Sequence, residues 1–497
     1  MKSPRDTITG AFALPFKGIA LGAGLVIKGR LLTQQTGAKF AKRRDYRDWM
    51  SASHHGVLID GESLRLSEPE SFQNVCLIAR VGAGKTSRYI IPNVLDKAAH
   101  RCSIVVNDPK GEVFDATSAA MQKAGYKIVR IDPEHPETSS RFNPLTEVRD
   151  DIELEQVAEI LVRAGNPDDK DGFWNKGATR FVALFLKCLR NTAAAEGREV
   201  FTLANLNYLL QSFGSLGKPL DAFMARATID PSNPSDRRLW TEWKGLLTGN
   251  PEGVQSFVLN ALTALRALSN RKVAWLTAHS DLSLADLRRE KTIVYFITPP
   301  QHAEYYSFLT SIFFRSVFNA AMRQMPGKAD LPLYVLYDEF GHSTIPAFVS
   351  TANTIRAYKV SLTIVLQSIA QLSARYGKDV AAAIQGGFNT ALTYAGSDPE
   401  TCLFFERLCG KVRERQRREL LTTNPQDTYR EFNLVNANEV RTLAHGEMLV
   451  VSTNRDPVRL PSHPYFQVRS FSRLAGLGAA RIAPRTVTPS EIPLVRL

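Results

Sequence analysis

Short apolar runs of four to six residues recur along the chain, and longer segments with apolar residues at helical spacing separate them. Runs of this kind are typical of parallel strands that are buried on both faces of a sheet. Their alternation with helical segments predicts an α/β fold, a mostly parallel sheet with helices on both faces. The predicted strands are residues 75–78, 103–107, 127–131, 292–297, 333–337, 361–366, 390–395 and 447–452.

The pattern changes between about Asp150 and Arg271. Apolar residues there recur three or four positions apart, as at Leu154, Val157 and Leu161, and strand-like runs almost vanish. This periodicity predicts an all-α domain that is inserted into the sheet domain.

Aromatic residues and chain ends complete the predicted organisation. We interpret Trp174, Trp240 and Trp243 as core residues of the all-α domain rather than as platforms for nucleic-acid bases. The segment from Arg473 on is rich in proline, arginine and alanine, which predicts a mobile tail. The predicted domains are 1–50 (a basic N-terminal segment), 51–150 (first part of the nucleotide-binding domain), 151–275 (the all-α insertion), 276–472 (second part of the nucleotide-binding domain) and 473–497 (the tail).

The first apolar run ends at a glycine-bearing loop that continues into Gly-Lys-Thr. Gly82 and Gly84 allow the backbone N–H groups to turn inward, and a helix that starts near Lys85 points its positive end at an anion. We expect Lys85 to meet the β- and γ-phosphates of a nucleotide and Thr86 to bind magnesium. The usual pattern has a glycine where Ala79 stands. The predicted nucleotide-binding residues of the loop are Arg80, Val81, Gly82, Ala83, Gly84, Lys85, Thr86 and Ser87.

Polar side chains follow three later strands at their carboxyl ends, where open α/β sheets place their ligand groups. Asp108 and Lys110 follow the second strand and are expected to contact the nucleotide. Asp338 can hold the magnesium shell, and Glu339, one position further, can orient and deprotonate the attacking water. Gln367 ends the next strand and is placed to sense the γ-phosphate.

Composition and charge limit the class of protein. With 497 residues and 44% hydrophobic content, the chain is long enough for two or three packed domains and too apolar to be disordered. Its five cysteines lack the spacing of metal ligands, so we expect neither disulfides nor zinc. The net charge of +13 lies at the ends, with +7 in residues 1–50 and +6 in residues 410–497. Basic ends indicate contact with a membrane or nucleic acid, or a purely solubilising role.

Residues 8–27 are apolar apart from Thr9 and Lys17. A lysine near the centre of a membrane span costs about 2.5 to 3.5 kcal/mol on insertion scales. Three interpretations remain open: a transmembrane helix, an interfacial helix held by the basic residues that follow, and a helix packed on a partner. A secretory signal is disfavoured because no clear cleavage site follows the apolar run.

Together these stretches resemble the type IV secretion coupling proteins, conjugative-transfer P-loop ATPases of the TraG/TraD type, over roughly residues 55–470. The motifs run in family order, which is far more specific than the phosphate loop alone. Two features depart from the family: Ala79 in the loop, and one marginal apolar segment in place of a two-span membrane anchor. The matching motifs are residues 91–93 (Ile-Pro-Asn), 107–112 (Asn-Asp-Pro-Lys-Gly-Glu), 141–145 (Arg-Phe-Asn-Pro-Leu), 171–174 (Asp-Gly-Phe-Trp), 337–340 (Tyr-Asp-Glu-Phe), 366–372 (Leu-Gln-Ser-Ile-Ala-Gln-Leu) and 443–447 (Leu-Ala-His-Gly-Glu).

The resemblance implies a RecA-like nucleotide-binding domain, an all-α domain that faces the cytoplasm, and a homohexameric ring. It implies ATP and Mg²⁺ as cofactors and a place on the cytoplasmic face of the bacterial inner membrane. The implied partners are single- or double-stranded DNA, relaxase or relaxosome proteins, and components of the secretion channel. In such a ring Arg356 would face the neighbouring subunit and act as an arginine finger. A surface arginine paired with a nearby acid is the alternative.

Three functions compete at this level. The first is an ATP-driven motor or gate that delivers DNA and its bound protein to a secretion channel. The second is a docking receptor that uses nucleotide only to hold its ring together. The third, a chromosomal DNA translocase or helicase, is disfavoured by the helical insertion and by the lack of an obvious second motor domain. The basic segment 411–418 is open to two interpretations, a phosphate contact or a solvated helix face.

Overall fold

The computed structural model describes residues 32–166, 172–197, 199–229, 234–417, 427–487 and 492–497. The apolar segment 8–27, for which a transmembrane helix, an interfacial helix and a helix packed on a partner were left open, lies outside these residues, as does Asp171 of the motif at 171–174. Among the helices of the described ranges, none is long and apolar enough to cross a bilayer.

Fourteen strands form three sheets in this part of the chain, with nine strands in the largest. The strands are β1 (Leu32–Gly37), β2 (Met50–Ser51), β3 (Arg65–Leu66), β4 (Val75–Ile78), β5 (Ser103–Asn107), β6 (Lys127–Ile131), β7 (Thr292–Phe296), β8 (Leu333–Tyr337), β9 (Val360–Leu366), β10 (Thr390–Tyr394), β11 (Lys411–Arg417), β12 (Asp427–Asn433), β13 (Glu447–Ser452) and β14 (Val458–Pro461).

The helices fill the intervals between these strands. They are α1 (Arg43–Tyr46), α2 (Glu68–Ser71), α3 (Ile91–Asp96), α4 (Glu112–Lys123), α5 (Asp151–Gly165), α6 (Phe173–Glu196), α7 (Leu203–Gln211), α8 (Asp221–Thr228), α9 (Pro234–Leu247), α10 (Pro251–Ala264), α11 (Arg271–Leu276), α12 (Ser307–Met322), α13 (Phe348–Thr354), α14 (Ile369–Tyr376), α15 (Lys378–Gly386), α16 (Pro399–Cys409), α17 (Ala437–Arg441) and α18 (Arg469–Ala475).

The large sheet has the strand order β14-β13-β10-β4-β9-β8-β5-β7-β6. Its strands from β10 to β6 pair in parallel, and β13 and β14 add an antiparallel edge. Every residue of β4, β8 and β9 is buried, because helices cover both faces of the sheet. The continuous apolar character of these strands is therefore what their surroundings require, and the predicted α/β architecture is confirmed.

Two hydrophobic clusters lie on opposite faces of the sheet. One cluster includes Val94 of α3, Met121 of α4 and Phe471 of α18. The other includes Ile312 of α12 and Leu372 of α14, and it continues without a break into the inserted helices α5 to α11. The insertion thus shares its core with one face of the sheet.

The inserted helices follow the predicted periodicity and begin at identifiable caps. The carboxylate of Asp150 accepts a hydrogen bond from the backbone N–H of Glu153 (2.8 Å) and starts α5. Trp243 is buried as expected, with its indole N–H donating to Asp221 (2.9 Å). Trp174 differs from the expectation, because 45% of it is exposed in the first turn of α6, where its ring lies against those of Phe173 and Phe257.

The segment after α18 is packed on the protein, in contrast to the predicted mobile tail. We call residues 476–487 and 492–497 the C-terminal strap. The backbone N–H of Ala480 donates to Ser118 of α4 (2.8 Å), which fixes the first part of the strap to the sheet domain. Arg485 forms an ion pair with Asp281 (2.6 Å).

The last residues of the strap lie on the all-α domain. The side chain of Asn205 in α7 donates to the Pro493 carbonyl (2.9 Å) and accepts from the Val495 N–H (2.9 Å). Val495 itself is buried. These irregular backbone contacts leave no periodicity in the sequence, which is why composition alone indicated mobility.

The described part of the basic segment, residues 411–417, is a strand and not a helix, so the interpretation as a solvated helix face was wrong, and Arg418 lies outside the described residues. Residues 411–417 form β11, which pairs antiparallel with β1 on one side and β12 on the other. We call these three strands the small sheet. Pairing between segments nearly 400 residues apart decides this structure, and local charge pattern does not reveal it.

A buried ion-pair network joins α3 to the chain before the first strand of the large sheet. Arg65 and Lys97 donate to the carboxylate of Asp96 at 2.6 and 3.1 Å. Lys97 also donates to the backbone carbonyl of His55 (3.1 Å). Burial tends to raise the pKa of Asp96, but Lys97 and Arg65 outweigh it and hold that pKa below its ordinary value.

We predict that Asp96→Ala lowers the free energy of unfolding by about 3 to 5 kcal/mol, because it leaves the buried Lys97 ammonium uncompensated. The matched control is Glu159→Ala, which removes the exposed pair with Arg163 (3.1 Å) and should change stability by less than about 0.5 kcal/mol. Urea unfolding at neutral pH measures both. Equal effects of the two substitutions would show that the Asp96 network contributes no more than a surface pair.

Candidate active site

The predicted phosphate loop joins β4 to a helix at the carboxyl edge of the large sheet. Gly82 and Gly84 have φ angles of 78° and 86°. In this region the backbone of any residue with a side chain is strained. Ala79, in the place of the usual first glycine, is not in this region, and its N–H extends the sheet by donating to Leu366 (3.0 Å). The conformation at position 79 is therefore accessible to alanine, and the loop keeps its turn without the glycine.

A helix follows the loop at once, as predicted. Lys85 is the residue before a π-helical turn, Thr86–Ile90, which continues into α3. Pro92 has no N–H to donate to the preceding turn, and a wider turn at this point accommodates the missing bond. The N-terminus of this continuous helix points its backbone N–H groups into the loop.

The ammonium group of Lys85 lies inside the loop. Only 7% of the residue is exposed, and its Nζ donates to the carbonyl oxygens of Ala79 (3.0 Å) and Arg80 (3.3 Å). Burial lowers the pKa of Lys85, while the carboxylates of Glu339 and Asp338 act in the opposite direction. A buried cation that is satisfied mainly by carbonyl dipoles is suited to an anionic ligand.

Asp338 lies directly across from the loop at the end of β8. The hydroxyl of Thr86 donates to its Oδ2 (3.3 Å). Burial raises the pKa of Asp338 to about 6, and the charge of Glu339 adds to this effect, while Lys85 opposes it. The Asn107 amide donates to the Asp338 carbonyl (2.6 Å), which fixes the end of β8 to the end of β5.

Glu339 has a strained backbone and a fixed side chain. Its φ of 53° and ψ of 44° lie in the left-handed region, which costs a residue with a side chain about 1 to 3 kcal/mol. The Gln367 amide donates to its Oε2 (2.6 Å), and His342 lies 3.6 Å from the same oxygen. In this left-handed conformation the carboxylate of Glu339 meets the amide of Gln367.

Asp108 and Lys110 differ in their surroundings. Asp108 is buried at the end of β5 and accepts a hydrogen bond from the N–H of Phe114 (2.8 Å). Burial raises the pKa of Asp108 to about 7, and Asp338 contributes to the increase. Lys110 has a side chain that is 63% exposed and lies 3.7 Å from Glu112, so it is less closely held than the other predicted residues.

The remaining loop residues line the entrance. Val81 is 70% exposed, and Arg80 is exposed with its guanidinium lying over Gly396, where a Cβ would meet it at 2.7 Å. Ala83 is half-buried, and the hydroxyl of Ser87 donates to the Gly84 carbonyl (3.3 Å).

Arg356 does not join this group. It is exposed on the short 3₁₀ turn Ile355–Tyr358 that precedes β9, at the amino edge of the sheet. Its guanidinium makes no hydrogen bond or ion pair with any other residue of the described ranges. The strand that follows is seven residues long, which separates Arg356 from the loop of its own chain by about 20 Å.

The structure brings the other predicted residues together because of strand order. β4, β9, β8 and β5 are neighbours, and all four run in the same direction. The phosphate loop, Gln367, the Asp338-Glu339 pair and Asp108 therefore meet at one edge. The sequence prediction of the site missed Asn107 and His342; Asn107 ends a buried strand beside Asp108, and His342 follows Glu339 by one helical turn.

The residues present fit a nucleotide with a divalent cation. Thr86 and Asp338 supply the hydroxyl and carboxylate oxygens that magnesium prefers, and the helix N-terminus and Lys85 supply positive charge for phosphates. Asn107 Oδ1 is buried without a hydrogen-bond partner among the described residues, so one acceptor oxygen remains available near Asp338. The loop, the acidic strand end and the intervening strand define a P-loop nucleotide-binding fold of the RecA-like type.

The chain belongs to the family described as type IV secretory system conjugative DNA transfer, whose model matches residues 28–485. VirD4 of Rhizobium rhizogenes is 24% identical over 413 residues, covering 80% of this chain and 59% of that protein. The conjugal transfer protein TraG of Rhizobium radiobacter is 21% identical, covering 82% and 64%. The chain thus spans about three fifths of the length of these curated relatives.

Solved structures of the conjugative coupling protein TrwB have the same fold. An unbound form that lacks the first 70 residues matches with a TM-score of 0.67 at 14% identity, covering 92% of this chain and 96% of that one. TrwB in complex with ADP and Mg²⁺ matches with a TM-score of 0.67 at 14% identity, covering 88% and 96%.

We predict that Asp108→Asn changes the pH dependence of stability. The folded wild-type protein retains the Asp108 proton between about pH 4 and pH 7, whereas the unfolded chain releases it, so this group makes the folded state less stable as pH rises through that window. The Asp108→Asn protein does not lose stability in this way. Its free energy of unfolding relative to wild type should therefore rise on the order of 3 kcal/mol from about pH 4 to about pH 7.

Thermal unfolding of the two proteins without nucleotide, at several pH values from 4.5 to 8, measures this difference in stability. Its pH dependence should be that expected for the titration of one group. A stability difference that does not vary with pH would show that Asp108 ionises as it does in the unfolded chain.

Proposed function

We propose that the protein is the coupling ATPase of a conjugative type IV secretion system, which recruits a relaxase with its bound DNA and uses ATP hydrolysis to deliver them to the secretion channel. The observation that carries the proposal is the meeting of Lys85, Thr86, Asp338, Glu339 and Gln367 at one sheet edge, in a chain whose family is conjugative DNA transfer. TraG and TrwB are named for conjugal transfer and conjugative coupling, and TrwB has been solved in complex with ADP and Mg²⁺.

The proposed substrate is ATP held with Mg²⁺. Lys85 and the N–H groups of the loop bind the phosphates, and Lys85 neutralises charge that develops at the γ-phosphate. Thr86 and Asp338 hold the cation, which supplies further charge neutralisation between the phosphates when it is bound. Positive charge beside Asp338 favours its carboxylate form, against the burial that otherwise raises its pKa to about 6.

Glu339 is the proposed general base, and Gln367 is its positioning residue. A base must hold one geometry towards the attacking water, and the 2.6 Å hydrogen bond from Gln367 limits the rotation of the Glu339 carboxylate. Gln367 follows β9, the strand between the loop and Asp338, so it is also placed to report on the γ-phosphate.

A general base held in one position distinguishes an ATP-driven motor or gate from a docking receptor. A docking receptor that only retains nucleotide needs the loop, Lys85 and a cation site, but it has no use for a carboxylate held at a strained backbone. The strain at Glu339 and its bond to Gln367 therefore favour turnover. The docking receptor is the second candidate, and turnover is the measurement that separates them.

The proposed partners are DNA, relaxase or relaxosome proteins, channel components and the surface of the inner membrane. We propose that the protein acts as a homohexamer on the cytoplasmic face of that membrane. The family description, conjugative DNA transfer by a type IV secretory system, supports DNA and channel components as partners.

We predict that the purified protein hydrolyses ATP with multiple turnovers and that DNA stimulates it, most strongly at low salt because phosphate contacts weaken as salt rises. Lys85→Ala should lower turnover roughly 10²- to 10³-fold through lost charge stabilisation. Glu339→Gln should still bind ATP but hydrolyse it roughly 10²- to 10⁴-fold more slowly, since an amide accepts no proton. Lys123→Ala, at an exposed position of α4, is the matched control and should leave turnover unchanged.

Phosphate release with and without single- and double-stranded DNA measures these rates, and a fluorescent ATP analogue measures binding. A single turnover per subunit in the wild-type protein would favour the docking receptor. Loss of nucleotide binding in Glu339→Gln would mean that Glu339 is structural.

Arg356 is the proposed arginine finger and acts across a subunit boundary. Two observations support this role: Arg356 lies about 20 Å from the loop of its own chain, and it has no acidic partner among the described residues. An arginine supplied by a neighbour can raise turnover roughly 10³- to 10⁵-fold.

We predict that Arg356→Ala and Lys85→Ala proteins are each inactive alone but regain partial ATPase activity when mixed. An intact Arg356 on a Lys85→Ala subunit can complete the intact loop of an Arg356→Ala neighbour. Differently tagged variants that co-purify prove that mixed rings form. Mixed rings as inactive as either parent would exclude Arg356 from the neighbouring site.

A further inference from the structure

The small sheet has one buried side and one basic, exposed side. Val412 of β11 is 4% exposed, whereas the side chains of Lys411 and Arg413 are 64% and 62% exposed. Successive residues of a strand point to opposite faces. Lys411 and Arg413, two positions apart in β11, therefore lie on the exposed side.

The neighbouring strand adds an exposed aromatic ring to this outer side. Tyr429 of β12 is 58% exposed, and the guanidinium of Arg413 lies 5.7 Å from its ring centre. Glu431, an acid on the same side, lies 3.9 Å from Lys411 and 3.8 Å from Arg413. Because these ion pairs are exposed, they hold the basic groups weakly and leave them available to an anionic partner.

The chain that follows β1 is also basic. The N–H of Ala38 donates to the Lys411 carbonyl (3.0 Å), so this segment lies against β11. Residues 38–47 contain five basic side chains and one acidic side chain, Asp45. Arg43 and Arg44 of α1 are exposed. The outer side of the small sheet and residues 38–47 together form what we call the basic platform.

The sequence ahead of β1 indicates what the platform meets. Only four residues separate the apolar segment 8–27 from the first residue of β1. A chain covers at most about 3.6 Å per residue, so β1 begins within about 18 Å of the end of that segment. If the segment enters a bilayer, the small sheet lies within reach of the lipid headgroups.

We propose that the basic platform docks on the anionic headgroups of a phospholipid membrane, as a second contact beside the N-terminal segment. Lysine and arginine near an anionic bilayer contribute about 1 kcal/mol each, and tyrosine is favoured at the membrane–water boundary. The inference rests on the proposed placement at a membrane and does not depend on ATP hydrolysis. DNA is the competing anionic partner, and the experiment includes it.

The test uses the full chain with one reporter cysteine. All five native cysteines are buried, so Tyr429→Cys introduces an exposed thiol that a fluorescent reagent labels selectively. Vesicles that combine a zwitterionic lipid, an anionic phosphatidylglycerol and a headgroup-labelled quencher should quench the probe at about 0.1 M salt. Quenching should decline at about 0.5 M salt, where the Debye length is shorter, and with zwitterionic vesicles.

Leu259→Cys provides the matched control. Leu259 lies on α10 of the all-α domain and is 62% exposed, so its probe is equally accessible but distant in the fold from the small sheet. The same vesicles should leave it unquenched. Adding Lys411→Gln and Arg413→Gln to the Tyr429→Cys protein should weaken its vesicle affinity roughly 25-fold, which is the loss of two contacts of about 1 kcal/mol each.

Two outcomes would overturn the proposal in different ways. Flotation of the protein with vesicles while the probe at position 429 stays unquenched would leave the membrane placement intact but exclude the platform from the contact. A response of that probe to a double-stranded DNA oligonucleotide, with none to vesicles, would assign the platform to nucleic acid.

Discussion

Parallel pairing of four neighbouring strands is the constraint on which the site depends. β4, β9, β8 and β5 share one direction and are buried on both faces, so their carboxyl ends must meet at one edge. Every crossover between them has to return over a face of the sheet, which requires the covering helices. The same constraint places Arg356, which precedes β9, at the opposite edge, away from the phosphate loop of its own chain.

The site combines burial with strain. Asp338 and Asp108 are carboxyl groups whose pKa values burial raises to about 6 and about 7, so ionising either one in its buried position costs stability. A cation bound beside them would relieve that cost, and its binding would be coupled to the ionisation of the strand ends. The left-handed backbone of Glu339 adds a second cost that packing elsewhere in the domain must offset.

The sequence allowed accurate prediction where local pattern and burial agree. The strands that carry the loop and Asp338 are apolar throughout because both faces are covered, and that character is visible without a structure. The bond between Gln367 and Glu339 depends on two strands being neighbours in space, so the residues were predictable but their contact was not. The strand at 411–417 was misread since its partners are distant in sequence. Val495 was missed because an irregular segment has no period, although its contacts are specific.

The C-terminal strap has a consequence for the order in which the protein folds. Its hydrogen bonds join residues 362 and 290 positions apart, from Ala480 to Ser118 and from Val495 to Asn205. Such long loops are slow to close, and each contact needs a partner helix that has already formed. We therefore expect the strap to dock late in folding, after α4 and α7 have formed. Amide hydrogen exchange at Val495 then reports on the docking of the strap against α7, and not on the formation of α7 alone.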